Sequence, residues 1–543
     1  MTQNLRVMWI VMAMALGTLA MPAGAGPGDR VSAGRIMADI TFLADDLLEG
    51  RAAGTRGYDL AARYVASQMA QIGLTPGFDG GWFQQFPLLQ SRVDQESSRL
   101  VLDGTALEPG EDFLTGKNFF AEDSQVSAPV VLAGFGVQAP ELGHDDYADL
   151  DVRGRIVAIF SGAPSTFPND QRAFHSSRTR KSRIASELGA VGVINIRTRV
   201  DQERVAWERM QTGSAFPGMR WLDGDGRPRD AFAGLKGSVY LSDSARAGLF
   251  ANVPLTEAQA LDAAAAGTAP RLDLKIEAQI RTLSALSGAR SANVGGLLPG
   301  SDPELRDEWM VVTAHLDHKG IGPEIDGDGI YNGAYDNASG VAFILEAARM
   351  IAQDEQAPAR SVLFLAVGAE EVGLLGSDYF IHHPPVPVDR IVANANMDMA
   401  IMTFPVAEIV AFGAEHTTLG PVAAKAAEAA GFRMAPDPMP EEVIFIRSDQ
   451  FSFVKQGVPA IYMDVGTGSS DPTIDGEAQV REFLTTHYHK PSDDLTRTFH
   501  ADSMRRFVAT NYSLIREIAD APERPRWRKS NFFGETFGPD RVE

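Results

Sequence analysis

Met310-Val311-Val312-Thr313-Ala314-His315-Leu316-Asp317 reads as a strand that stays almost wholly apolar until it meets a histidine and an aspartate. A strand with one wet face would alternate polar and apolar residues. An unbroken apolar run belongs to a sheet covered on both faces, as parallel sheets are. Val362 to Val367, Ile391 to Ala395 and Pro459 to Met463 share this character. Between these runs the spacing turns helical. Val341, Ile344, Leu345, Ala348 and Ile351 share one face, as do Met504, Phe507, Val508, Leu514, Ile515 and Ile518. Alternation of strands and helices predicts an α/β sheet with a mainly parallel core.

In such open sheets, ligands collect beyond the carboxyl ends of the strands. Reading each strand to its end gives His315-Leu316-Asp317, then Ala369-Glu370-Glu371, then Asn396-Met397-Asp398. Two loops add Gly333-Ala334-Tyr335-Asp336-Asn337-Ala338-Ser339-Gly340 and His487-Tyr488-His489-Lys490-Pro491-Ser492-Asp493. Two imidazoles with three or four carboxylates suit a pair of borderline divalent cations, one carboxylate bridging.

Each piece also has an ordinary reading. His-x-Asp occurs at His144, His315 and His500, and only His315 ends a buried strand. Glu370-Glu371 in isolation reads as a solvated acid pair at a helix start. Asp336 could cap the helix that begins near Ser339, and Asp398 could be a strand-end turn residue. Asp326-Gly327-Asp328-Gly329 hints at a calcium loop, but Ile330 occupies a required ligand position, which excludes an EF-hand. What carries weight is the ordered convergence of these segments on one sheet edge.

Composition narrows the classes. The chain has 543 residues, enough for two to four domains. Its 49 Lys+Arg against 71 Asp+Glu give a formal charge of −22, which argues against nucleic acid as a partner. Cysteine is absent, so disulfides, thiolate metal sites and cysteine nucleophiles are excluded. Arg6, the apolar run Val7 to Ala20 and Ala23-Gly24-Ala25 read as a signal peptide over residues 1–25, with an uncleaved anchor as the alternative. The expected setting is export, periplasmic or extracellular, with no membrane attachment after cleavage.

Helical spacing at Ile36, Ile40, Leu43 and Leu47, and again from Leu60 to Ile72, opens the mature chain. From about residue 123 short β-rich runs take over, including Pro129 to Ala133, Arg155 to Phe160, Val191 to Ile196, Gly237 to Leu241 and Leu272 to Ile276. The polar tail after about Pro522 reads as peripheral. The expected organisation is a catalytic domain in two parts, 35–122 and 286–522, an inserted domain over 123–285, and a C-terminal tail over 523–543.

The segments around His315, Asp336, Glu370-Glu371-Val372-Gly373-Leu374-Leu375-Gly376-Ser377, Asp398 and His489 resemble the co-catalytic zinc aminopeptidases of the M28 peptidase family. Phe445-Ile446-Arg447-Ser448-Asp449, Gly457-Val458-Pro459 and Leu48-Glu49-Gly50-Arg51 extend the likeness. Tyr147-Ala148-Asp149-Leu150-Asp151 and the following Val152 to Val157 are similar to a protease-associated (PA) domain. The resemblance implies a three-layer α/β/α zinc-peptidase fold with a mixed, mainly parallel central sheet, plus a β-rich inserted PA-like domain.

It also implies a site. His315 and Asp398 would bind one Zn2+, Glu371 and His489 the other, and Asp336 both, with a cis peptide at Asp336-Asn337. Cobalt or manganese would suit the same N/O ligands. Asp317 would hold the second imidazole nitrogen of His315. Glu370 would be the general base for a metal-bridging hydroxide that hydrolyses the N-terminal peptide bond of peptides with a free N-terminus. Tyr488 would either steady the oxyanion or pack against the ligands. Arg447 would contact substrate or pair with a nearby acid, with Asp449 in the same polar cluster. His487 is two residues from His489, and the resemblance favours His489 as the ligand. The competing readings are a glutaminyl cyclase-like or carboxypeptidase-like enzyme on this fold, or a catalytically silent binding protein. The sequence leaves open the oligomeric state and the preference at the first substrate residue.

Overall fold

The computed structural model describes residues 26–539 and 541–542. The expected leader lies outside the described residues. Among those described, no helix is long and apolar enough to cross a membrane.

Four parallel strands form the centre of the main sheet, in the order Ser361–Val367, Trp309–His315, Ile391–Asn396 and Ala460–Val465. Antiparallel strands flank them. Arg271–Leu298 joins Ser361–Val367 on one side and Phe83–Val93 on the other, and Glu408–Phe412 lies beside Ala460–Val465. Successive residues of the central strands enter different layers. Met310, Val312 and Ala314 pack into one core with Ile36, Val65, Ile344 and Phe507, whereas Val311, Leu363 and Leu365 pack into another with Phe380 and Phe453. The sheet is therefore sandwiched between helices, a mixed and mainly parallel three-layer α/β/α arrangement.

Burial corrects the expected helix faces. Helix Gly340–Ala352 is buried almost all round, because Ala33–Leu43 and Ala501–Asp520 cover the side that the sheet leaves free. The opening helix stops at Leu43. Asp45 then accepts the Leu47 amide at 2.9 Å and starts a 3-10 segment, Asp46–Arg51, so the periodicity breaks and Leu47 is 83% exposed.

A second sheet holds Asp123–Ala133, Ile156–Phe160, Gly192–Ile196 and Gly237–Leu241 in parallel. Strands Arg99–Leu102 and Phe113–Thr115 also hydrogen-bond into it, although they precede residue 123, where the composition changes. Strand Arg271–Leu298 belongs to both sheets. Its first half pairs with Asp123–Ala133 and Arg99–Leu102, and from Ser284 it pairs with Phe83–Val93. Its burial pattern changes accordingly, alternating from Leu274 to Thr282 and continuous from Ser291 to Gly296.

The tail is not peripheral. Trp527 and Phe533 are buried in the core under Phe453, and the Trp527 indole donates to the Gly457 carbonyl at 2.8 Å. Burying those aromatic rings outweighs the polar character of the residues between them.

Candidate catalytic centre

Each polar strand end turns toward one edge of the main sheet. His315 is the last residue of its strand, Asp398 lies two residues beyond Asn396, and Glu370 and Glu371 follow Val367. Asp336 sits in the irregular turn Ala334–Ser339, with backbone angles of −108° and 88°, and it caps no helix. The Asp336–Asn337 peptide is cis. Asn337 ties this turn to the Asp398 segment, donating to the Met397 carbonyl and accepting the Met399 amide at 3.0 and 3.2 Å. Ala369, Met399 and His489 all have positive φ, and each adjoins or is one of these residues. Such backbone costs about 1–3 kcal/mol per residue and persists only where the surroundings enforce it.

The carboxylate of Asp336 is divided. Its Oδ1 lies 3.1 Å from His315 Nε2, and its Oδ2 lies 3.1 Å from His489 Nε2. His315 Nε2 is also 3.1 Å from Asp398 Oδ1, and His489 Nε2 is 3.1 Å from Glu371 Oε2. Two groups of donor atoms thus share one residue. His315, Asp336 and Asp398 form the first, and Asp336, Glu371 and His318 converge in the second beside His489. Glu370 and Glu371 are 12% and 4% exposed at the side chain, so they are not a solvated pair.

Several neighbours differ from expectation. The second nitrogen of His315 meets the backbone carbonyl of Asp317 at 3.0 Å and not its carboxylate. That carboxylate instead accepts the amides of Glu370 and Glu371 at 3.0 and 3.3 Å, because the chain folds back across it after Val367. His318 and Lys319 were not among the expected residues. His318 Nδ1 lies 2.6 Å from Glu371 Oε1 and 3.8 Å from Asp336 Oδ2, and Lys319 Nζ lies 2.7 Å from Glu371 Oε2. Their only signal was adjacency to His315-Leu316-Asp317.

Arg447 pairs with Glu442 at 2.8 Å. Asp449 is not in that cluster, being buried near His315 and Asp398. His487 turns away to Ser492, Glu482 and Arg497. His144 pairs with Asp146 in the second sheet's domain, and His500 caps helix Ala501–Asp520. Tyr488 stacks on His489 with ring centroids 3.8 Å apart.

The electrostatics follow from crowded, buried acids. Burial pushes Glu370 well above the usual carboxylate range. His315 opposes this, while Glu371 and Asp398 add to it. Burial works the same way on Glu371, but His489, Lys319 and His318 outweigh it and hold that group well below its ordinary value. Asp317 is pushed up to about 6 and Asp449 to about 7, chiefly by burial. Burial also pushes the Tyr488 phenol far up, which keeps its proton available as a donor. The donor set fits divalent cations: imidazole nitrogen and carboxylate oxygen, in two groups, with more buried acids than the nearby cationic side chains neutralise.

A cavity of about 1960 Å³ opens over these residues, with walls from both sheets' domains.

Residues 293–515 match the model of peptidase family M28. Among curated proteins, the chain is similar to Aminopeptidase YwaD of Bacillus subtilis (strain 168), 34% identical over 119 residues, or 22% of this chain and 23% of that one. It is also similar to Leupeptin-inactivating enzyme 1 of Streptomyces exfoliatus, 32% identical over 114 residues, or 21% and 23% of the two chains. These matches span under a quarter of each relative's length. The fold is similar to that of the aminopeptidase from Aneurinibacillus sp. strain AM-1, with a TM-score of 0.55 at 19% identity over 92% of this chain and 96% of that one.

Proposed function

We propose, from the match of residues 293–515 to the model of peptidase family M28, that the protein is an exported dizinc aminopeptidase, hydrolysing the peptide bond beside a free α-amine. The divided carboxylate of Asp336, 3.1 Å from an imidazole on each side, carries the reading. His315 and Asp398 would hold one ion, Glu371 and His489 the other, and Asp336 both. His489 is the better second imidazole, because one nitrogen reaches both Asp336 and Glu371 at 3.1 Å. His318, 3.8 Å from Asp336, orients Glu371. Zinc in such a site supplies Lewis acidity and a nucleophile usable near neutral pH.

The protein's own groups supply the rest. Glu370 is the base that takes a proton from the attacking water and delivers it to the leaving amine. Its Oε2 lies 4.0 Å from His315 Nε2, close to the ligands but outside their 3.1 Å pairs. Asp317, by accepting both amides, fixes where the Glu370–Glu371 pair points. Tyr488 offers a protonated phenol to the oxyanion, and its stacking on His489 limits where that phenol can swing. The second sheet's domain is read as a PA-like insert that forms one wall of the cavity.

The test combines metal analysis with hydrolysis of leucyl p-nitroanilide. Two ions per chain and chelator-sensitive release are expected. Cleavage of N-blocked peptides but not free-amine peptides would replace this reading with a carboxypeptidase or endopeptidase.

A further inference from the structure

The protein carries a formal charge of −22, yet one wall of its cavity is cationic. Beside the proposed catalytic residues, two guanidiniums bind one carboxylate and a third lies against Tyr488. Arg204 meets Glu442 through two bonds, at 2.9 and 2.5 Å, and Arg447 meets the same carboxylate at 2.8 Å. Burial pushes Glu442 up, but these arginines outweigh it and keep the group ionised. Arg209 makes no ion pair among the described residues. It donates to the carbonyls of Leu484 and Tyr488 at 3.4 and 3.3 Å and lies over the Tyr488 ring at 5.3 Å. Glu442 therefore pairs with two of the three guanidiniums and leaves Arg209 outside any ion pair among the described residues, with Glu203 and Glu208 lining the cavity beside them. Lys117, Arg178 and Arg220 also line the cavity and form no ion pair with a carboxylate among the described residues.

Position gives this cluster a role. Arg209 lies 5.3 Å over the Tyr488 ring and donates to the Tyr488 carbonyl, and Tyr488 in turn stacks on His489, so the cluster adjoins the candidate centre on the side of that imidazole and phenol. Arg204 and Arg209 come from helices Arg199–Arg204 and Trp207–Ser214 of the second sheet's domain, and Arg447 comes from the main one. A planar guanidinium binds a carboxylate through paired hydrogen bonds, and several together do so with geometric selectivity.

We propose that Arg204, Arg209 and Arg447 receive a carboxylate of the substrate on the leaving-amine side. The preferred substrates are then short peptides with a free carboxylate, C-terminal or side-chain, one or two residues beyond the cleaved bond. The inference rests on the aminopeptidase reading and adds the substrate class to it.

The experiment measures kcat/KM of the metal-loaded full chain on two matched pairs, Leu-Ala against Leu-Ala amide and Leu-Glu amide against Leu-Gln amide. A preference of at least about tenfold for the carboxylate member is expected, mostly in KM. A preference in the first pair assigns the group to the chain terminus, and one in the second assigns it to an acidic side chain. Arg209→Gln should bring the ratio toward one, and so should the surface variant Arg204→Gln, which keeps the check available if the first misfolds. Equal rates within both pairs, or ratios untouched by both variants, would overturn the inference alone. Failure to cleave all four peptides and leucyl p-nitroanilide would overturn the aminopeptidase reading, and this inference with it.

Discussion

Asp493 holds Asp336 by its backbone: Oδ2 of Asp493 accepts the Asp336 amide at 3.0 Å, while its Oδ1 accepts the Tyr335 amide at 2.9 Å. Asp493 is fully buried and four residues from His489, so this clasp joins the two loops that carry a shared carboxylate and a candidate ligand. Asn at this position would turn an NH2 group toward one of the amides. Asp493→Asn is expected to weaken zinc binding about 10–100-fold, as loss of ligand-orienting partners does. Competition against a chromogenic chelator measures this, and unchanged affinity would remove the clasp from the site.

Glu370→Gln should retain the metal and lose turnover. A positioned acid–base group contributes about 10²–10⁴-fold. Metal content and kcat measured on the same preparation decide it, since a normal rate in the variant would exclude Glu370 as the base.

Removing the metal should loosen the fold around the site, because a ligand bound only by the native state adds about 2.7 kcal/mol at a hundred times its Kd. Chelated protein is expected to melt at lower temperature, with zinc restoring the transition. Asp336→Ala should abolish that restoration. Equal melting of the chelated and zinc-loaded forms would show that no ion binds tightly.

Arg51 is wholly buried, and its guanidinium donates to the carbonyls of Leu316, Asn332 and Gly333, as well as Leu43. It thereby fastens the exit of the His315 strand to the approach of the Asp336 turn. Burial lowers its pKa to about 10, so it remains charged at neutral pH. Lysine cannot fork to four carbonyls. Arg51→Lys should cost about 3 kcal/mol in denaturant unfolding, and a change within experimental error would refute this.

Lys181 gives a pH prediction in the second sheet's domain. It is buried, donates to the Phe160 carbonyl at 3.0 Å, and burial pushes its ammonium down to about 7. An unfolded lysine titrates near 10.4, so between about pH 7 and pH 10 the unfolded chain holds a proton that the folded one lacks. Stability must rise with pH across that window and lose this contribution as pH falls toward 7. Relative to Lys181→Met, the wild type should gain up to about 1.4 kcal/mol per pH unit. Denaturant unfolding at about pH 7.5 and about pH 9.5 tests this, and a constant difference between the two proteins would contradict it.

The parallel core and the strand-end positions of His315 and Asp398 were legible because both follow from local pattern, whereas Asp336, Glu371 and His489 were singled out by the resemblance to the M28 peptidases. An apolar run reports a strand buried on two faces, and the polar residue that ends it marks the sheet edge. Contacts made by the backbone left no such trace. Nothing in the residues of Asp317 tells that its carboxylate would take two amides while its carbonyl took His315. Nor does any spacing announce that Arg51 would collect carbonyls from two distant segments as well as from nearby Leu43. The strand through Leu272 to Ile276 was visible as a short β run, but its continuation to Leu298 crosses a change from one-sided to two-sided burial, and periodicity alone reads that as two elements. Trp527 and Phe533 were masked by the charged residues around them.

That continuous 28-residue strand sets how the cavity is built. One backbone is hydrogen-bonded first into the second sheet and then, from Ser284, into the main one, so the two walls of the cavity hang from a single shared spine.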